Sequence, residues 1–229
     1  MRLNDKPIQA VVYIIATLPN IDGSTYTNTG TGFVYENEFG RFIVTNNHVV
    51  SGSTHILIYH NSGQLKLASG SFRIFSCTSP SIDLVLLSIK NSMPNIPSFT
   101  PEDIPSNKEL MELDYAEPVI MIGYPGGYTA DDNFMPICRT GNTATHITLP
   151  FKGRKEFLID CHTTIGSSGS PVVLSNGKLV GIFRGGLQVL AEDNLPHLAV
   201  ALQSSHLLSD ISYAMTRCNQ QPTTSTAFR

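Results

Sequence analysis

The sequence predicts an all-β fold of short antiparallel strands, on three observations. Segments rich in Val, Ile, Leu, Tyr and Phe recur at strand length and are bounded by clusters of Gly, Pro, Asn and Ser. The 229 residues hold 18 glycines and 14 prolines against only 14% charged residues, a balance suited to many turns and few long helices. The connections are also short, which makes successive strands antiparallel neighbours. At 41% hydrophobic content the chain can bury a full core, in one domain or two.

Taken in order, residues 8–17 read as the first strand, rich in Val, Ile and Tyr, and the polar run 19–24 breaks it. A second strand spans 29–35 and, after a turn at 36–40, a third spans 41–45. Strands over 55–60, 64–68 and 71–76 follow, and a strand over 83–89 closes the first half. The stretch 91–116 changes character: Pro94, Pro97, Pro101 and Pro105 cannot sit in a central strand, so it reads as the crossing between halves, with one helical turn over 107–113. The second half opens on 118–122 and continues through strands at 134–138, 143–149, 156–160, 172–174, 178–186 and 198–202. Ser205 caps a closing helix. The expected division is therefore 1–90, a linker 91–116, 117–204, a helix 205–216, and a polar, mobile tail 217–229.

Composition also excludes function classes. A net charge of -3 with no basic block leaves no electrostatic footprint for nucleic acid. No window approaches the ~18 apolar residues of a membrane span, and Asp5, Lys6 and Pro7 interrupt the place where a signal peptide would carry its apolar centre. The expectation is a cytoplasmic protein without membrane contact. Cys77, Cys138, Cys161 and Cys218 show no CxxC pair and no short ligand spacing, so they read as reduced thiols in or near the core, with no metal and no cofactor implied.

The stretch that carries chemistry is Thr164-Ile165-Gly166-Ser167-Ser168-Gly169-Ser170-Pro171. Glycines flanking a serine let the backbone take conformations closed to other residues, so main-chain N–H groups can point outward. Alone, this is equally a Ser/Gly hairpin turn. Two other stretches decide: an apolar strand runs into a polar corner at Thr45-Asn46-Asn47-His48, and Asp83 stands at the mouth of Leu84-Val85-Leu86-Leu87. Asp83 could be a polar cap, and most of the seven histidines are ordinary surface or core residues. Together, however, a hydroxyl nucleophile, a base near neutrality and a carboxylate to fix its tautomer are what acyl transfer needs. A phosphate-cradling reading of Gly123-Tyr124-Pro125-Gly126-Gly127 lacks the lysine and the helix signal of a P-loop.

Five collinear segments carry a family resemblance: Thr31-Gly32-Phe33-Val34, Thr45-Asn46-Asn47-His48-Val49-Val50, Asp83-Leu84-Val85-Leu86-Leu87, Ile122-Gly123-Tyr124-Pro125-Gly126-Gly127 and Gly166-Ser167-Ser168-Gly169-Ser170-Pro171. Together they resemble trypsin-like (chymotrypsin-fold) serine peptidases, in the bacterial branch of HtrA proteases and glutamyl endopeptidases, without a PDZ domain. The order His48, Asp83, Ser168 is that of the chymotrypsin group. The resemblance implies two antiparallel six-stranded Greek-key barrels with the site between them, a short C-terminal helix, and a serine endopeptidase acting on extended polypeptides. His48, Asp83 and Ser168 would be catalytic, with the N–H groups of Gly166 and Ser168 as the oxyanion hole. A partner that activates the enzyme is left open, and the alternative is a catalytically silent fold that binds peptides.

The resemblance also points to a specificity pocket. His162 and Thr163 fall at its base, and Phe183, Arg184 and Gly185 lie on the strand that would border substrate. His197 falls near the last strand. Two readings stay open: His162, Thr163 and Arg184 bind a carboxylate by charge-assisted hydrogen bonds, or His162 and His197 are packed residues that narrow the pocket to small side chains. Ser167 replaces the aspartate that pairs with a freed N-terminus in trypsin-like zymogens, so proteolytic activation is not expected.

Overall fold

The computed structural model describes residues 5–61, 63–68, 74–76, 79, 81–89, 95–187 and 198–209. A helical turn, α1 (Asp5–Gln9), leads into β1 (Val11–Pro19), β2 (Thr25–Asn37) and β3 (Gly40–Thr45). A second helical turn, α2 (Asn47–Val50), separates these from β4 (His55–His60), β5 (Gly63–Ala68), β6 (Ile74–Ser76) and β7 (Val85–Ser88). After α3 (Asn107–Met111) come β8 (Pro118–Gly123), β9 (Ile137–Thr143), β10 (Glu156–Asp160), β11 (Pro171–Leu174), β12 (Leu179–Gly186) and β13 (Leu198–Gln203).

The second half closes as a six-stranded barrel, β10-β13-β12-β11-β8-β9. The first half differs from the six closed strands expected: it is a seven-stranded antiparallel sheet, β5-β4-β1-β2-β3-β7-β6, with no bond between its end strands among the described residues. Hairpin β4–β5 extends one side of β1, and the three-residue β6 extends β7 on the other.

Several boundaries moved for local reasons. The first strand starts at Val11 because residues 5–9 turn as a helix, with the Ala10 N–H closing onto the Lys6 carbonyl at 3.0 Å. The strand expected at 134–138 would run through Pro136, which cannot donate to a ladder, and β9 begins just after it. The strand expected at 143–149 is absent. After Thr143 the chain turns, and the His146 ring bonds to Thr148 and to the Leu113 carbonyl. Of the closing helix, a turn over 206–209 is described; its continuation, the tail, and Cys77 and Cys218 lie outside the described residues. Cys138 and Cys161 are free thiols, but Cys138 is exposed on β9 rather than packed in the core. No helix among the described residues is long and apolar enough to cross a membrane.

The halves share a core. One buried cluster joins Val11, Phe33, Tyr35 and Leu86 of the first half to Ile122, Tyr124, Val173 and Leu202 of the second. Tyr13 and Tyr124 touch across the boundary with ring centroids 5.1 Å apart. The linker packs too: Phe99 lies edge-on to Phe33, and its N–H and C=O bond to Val34 and Glu36 of β2. This common core holds the histidine corner of one half against the serine turn of the other.

Candidate active site

The histidine corner forms where β3 ends and α2 begins. Asn46 is fully buried there, and its side-chain amide donates to the Asp83 carbonyl at 2.8 Å. Asp83 precedes β7 instead of belonging to it, so its carboxylate is free to turn toward α2. One carboxylate oxygen accepts the His48 main-chain N–H at 2.9 Å, and the other lies 2.5 Å from the imidazole Nδ1. Burial pushes the Asp83 carboxyl up, but the ring and main-chain hydrogen bonds from His48, with the charges of His48 and Arg184, outweigh it and hold it below its usual value of 3.8. On the other side of α2, the Asn28 amide ties down the carbonyls of His48 and Val49.

The serine turn is held by its main chain. Gly166 and Gly169 both have φ of +88°, a left-handed conformation that disfavours any residue with a Cβ. A Cβ on Gly166 would also strike the Tyr124 carbonyl, and one on Gly169 the Thr31 carbonyl. The turn docks on the Gly126-Gly127 loop, where the Gly126 N–H donates to the Ile165 carbonyl at 2.6 Å. In this conformation the N–H groups of Gly166 and Ser168 meet no acceptor among the described residues.

Thr31 joins the two parts, a role sequence reasoning missed. Its hydroxyl donates to the Gly166 carbonyl at 2.8 Å and accepts from the Tyr124 N–H at 3.0 Å. Its N–H donates to the Ser168 carbonyl at 2.8 Å, and its own carbonyl accepts from the Thr45 hydroxyl at 2.7 Å. The available signal was its place inside the Thr-Gly-Phe-Val segment.

His48 and Asp83 are thus in direct contact, while Ser168 belongs to the second half, its carbonyl bonded to the Thr31 N–H of the first. The Ser168 hydroxyl donates to the Arg184 carbonyl at 3.3 Å, and among the described residues no hydrogen bond joins it to His48. A cavity of about 540 Å³ opens beside His48 and Asp83, walled by Arg184, Gly185 and Gly186 of β12 and Val200 of β13.

The residues proposed to line a pocket are placed unequally. Thr163 faces Gly186, where an added Cβ would lie 3.7 Å from its hydroxyl oxygen. His162 is exposed along a separate cavity of about 470 Å³, and its carbonyl accepts from Arg139 at 2.7 Å. Phe183 is 1% exposed and belongs to the barrel core. Arg184 turns to carboxylates, with Asp83 at 3.9 Å and Glu156 at 3.4 Å. His197 lies outside the described residues.

Residues 30–182, which include all three triad candidates, match the Trypsin-like peptidase domain family. The chain belongs to that family. Among curated proteins, serine protease Rv3671c of Mycobacterium tuberculosis is 26% identical over 163 residues, 68% of this chain and 36% of that protein. The chain therefore matches about a third of the length of this curated relative. Among solved structures, an inactive form of Rv3671c carrying a Ser-to-Ala change has a TM-score of 0.63 at 20% identity, covering 96% of this chain and 94% of that one. The HtrA-type protease AlgW with a tripeptide has a TM-score of 0.67 at 17% identity, covering 93% of this chain and 62% of that one. At these identities the structural likenesses establish a trypsin-like fold, and the relatives so named are serine proteases.

Proposed function

We propose that this trypsin-like chain is a serine endopeptidase working through an acyl-enzyme. The observation that carries the reading is the 2.5 Å contact between His48 Nδ1 and Asp83, together with a serine turn whose Gly166 and Ser168 N–H groups meet no acceptor among the described residues. Asp83 holds the proton on Nδ1, which leaves Nε2 as the base. Ser168 Oγ bonds to the scissile carbonyl carbon as its proton passes to Nε2, and the carbonyl electrons move onto the oxygen. The N–H groups of Gly166 and Ser168 stabilise that oxyanion, an effect typically worth about 2.7–4 kcal/mol. Collapse breaks the C–N bond as Nε2 protonates the leaving amine, and water then hydrolyses the ester by the same route.

An extended peptide would add to β12 beyond Phe183, the last β12 residue whose main chain bonds to the main chain of the serine-turn segment among the described residues. The Arg184 carbonyl would then accept a substrate N–H, freeing the Ser168 hydroxyl to turn to His48. Catalytic hydrogen bonds often tighten only when substrate is bound. Thr163 against Gly186, with Arg184 already facing two carboxylates, supports a narrow pocket for small uncharged side chains over one for carboxylates.

One observation favours the second reading, a silent peptide-binding fold: the Ser168 hydroxyl bonds to Arg184 and not to His48. A fluorophosphonate probe separates the two. Wild type is expected to label, Ser168→Ala not at all, and His48→Ala at least a thousandfold more slowly, as expected for members of one catalytic unit. A wild type that stays unlabelled from pH 6 to 9, with and without cell lysate, would establish the silent fold.

A further inference from the structure

Arg184 stands at an irregularity of β12. Phe183 pairs with Ala201 and Gly185 with Val200, so the ladder shifts register across Arg184. Such a bulge re-aims the side chain of the residue it displaces. Here the guanidinium reaches out of its own barrel to Asp83, with Nε 3.9 Å from the oxygen that contacts the His48 ring. Its other end lies 3.4 Å from Glu156 of β10, a carboxylate only 3% exposed. A buried carboxylate is retained at such a site when a cation satisfies it, so Glu156 fixes where Arg184 can stand.

We propose that Arg184 is a positioning residue of the triad: a charge clamp, anchored on Glu156, that holds Asp83 in place across the crevice. The inference rests on the protease reading only for its effect on rate. Among the described residues the charged groups facing the pair are few. Asp83 comes from the segment before β7, Arg184 from β12 and, behind it, Glu156 from β10; β2, packed on α2, contributes the uncharged Asn28. With a guanidinium beside it, the Asp83 carboxyl keeps its charge to lower pH than it would alone. Arg184 therefore extends the working range toward acid and does not receive a substrate carboxylate.

The test uses Arg184→Met and, because a lone buried Glu156 can prevent folding, the double variant Arg184→Met/Glu156→Gln. The acid limb of fluorophosphonate labelling is expected to move up by about half a pH unit or more in either variant, and Arg184→Lys to recover part of that shift. A limb that stays in place overturns the clamp. So does a positional peptide library in which Arg184→Met loses cleavage selectively after Asp or Glu. The Asp83 carboxyl, followed by carbon NMR in the Ser168→Ala background, is expected to titrate at higher pH once Arg184 is Met. That measurement needs no turnover: an unlabelled wild type whose Asp83 responds to Arg184 would sink the protease reading and keep the clamp, and an unresponsive Asp83 in an enzyme that labels would sink the clamp alone.

Discussion

The two sides of the crevice hold their triad candidates by different means. His48 is placed by polar side chains, with Asp83 on its ring and main-chain N–H, Asn46 behind Asp83, and Asn28 under α2. Ser168 is placed by backbone, through two glycines in left-handed conformations and a threonine that bonds the turn to the opposite half. Side-chain hydrogen bonds can loosen by degrees and respond to pH. A backbone packed against backbone cannot. Substitutions on the serine side are thus expected to act by steric exclusion at any pH, and those on the histidine side by electrostatics within a pH window.

The largest effect tests the steric side. In Gly169→Ala the new methyl combines a left-handed φ with a collision against the Thr31 carbonyl, expected to cost about 2–5 kcal/mol. Denaturant unfolding should show that loss unchanged between pH 5 and pH 8. A folded variant of wild-type stability would mean the turn can relax, and the contrast between the two sides would fail.

Thr31→Val sharpens the comparison at the seam. Valine keeps the shape but leaves the Gly166 carbonyl and the Tyr124 N–H without their buried partner, for about 1–3 kcal/mol. Because the Gly166 carbonyl helps orient the turn, fluorophosphonate labelling should slow more than the stability loss alone explains. Labelling at the wild-type rate in a destabilised variant would limit Thr31 to a structural role.

How much of this was legible beforehand follows the same division. His48, Asp83 and Ser168 could be singled out as candidates because each sits in a short segment whose neighbours shape it locally: a strand running into a corner, an aspartate before an apolar run, a serine between glycines. The contacts of Thr31 and Arg184 could not be read, since both depend on partners far along the chain. Thr31 meets Gly166 only once the halves share a core, and Arg184 meets Asp83 only because the β12 ladder shifts register beside it. Gly185 and Gly186 hint at an irregularity in this strand, but not at the carboxylates that Arg184 reaches. The strand over 134–138 failed on evidence that was present, since Pro136 forbids it. In the first half, where seven strands are described against the six expected, the count was less legible, because closure depends on how end strands meet and not on any one segment.

The smallest expected effect tests the electrostatic side. Asp83→Asn is isosteric, so it removes the carboxylate's charge while leaving the loop before β7 its shape. At pH 7 the loss of stability should be about 1 kcal/mol or less, because the partner ring is half exposed. The folded carboxyl lies below its ordinary 3.8, held there by His48 and Arg184 against the upward push of burial. The folded state therefore binds the proton more weakly than the unfolded chain does, and the sign follows from linkage. The contribution is present in full above the unfolded value near 3.8 and is lost as pH falls through the lower folded value. Unfolding midpoints of wild type and Asp83→Asn should accordingly stand apart at pH 7 and pH 5 and converge in stronger acid, whereas the gap for Thr31→Val should persist over the same range. A gap for Asp83→Asn that stays constant into acid would show that Asp83 holds the corner by shape, as the glycines hold the serine turn.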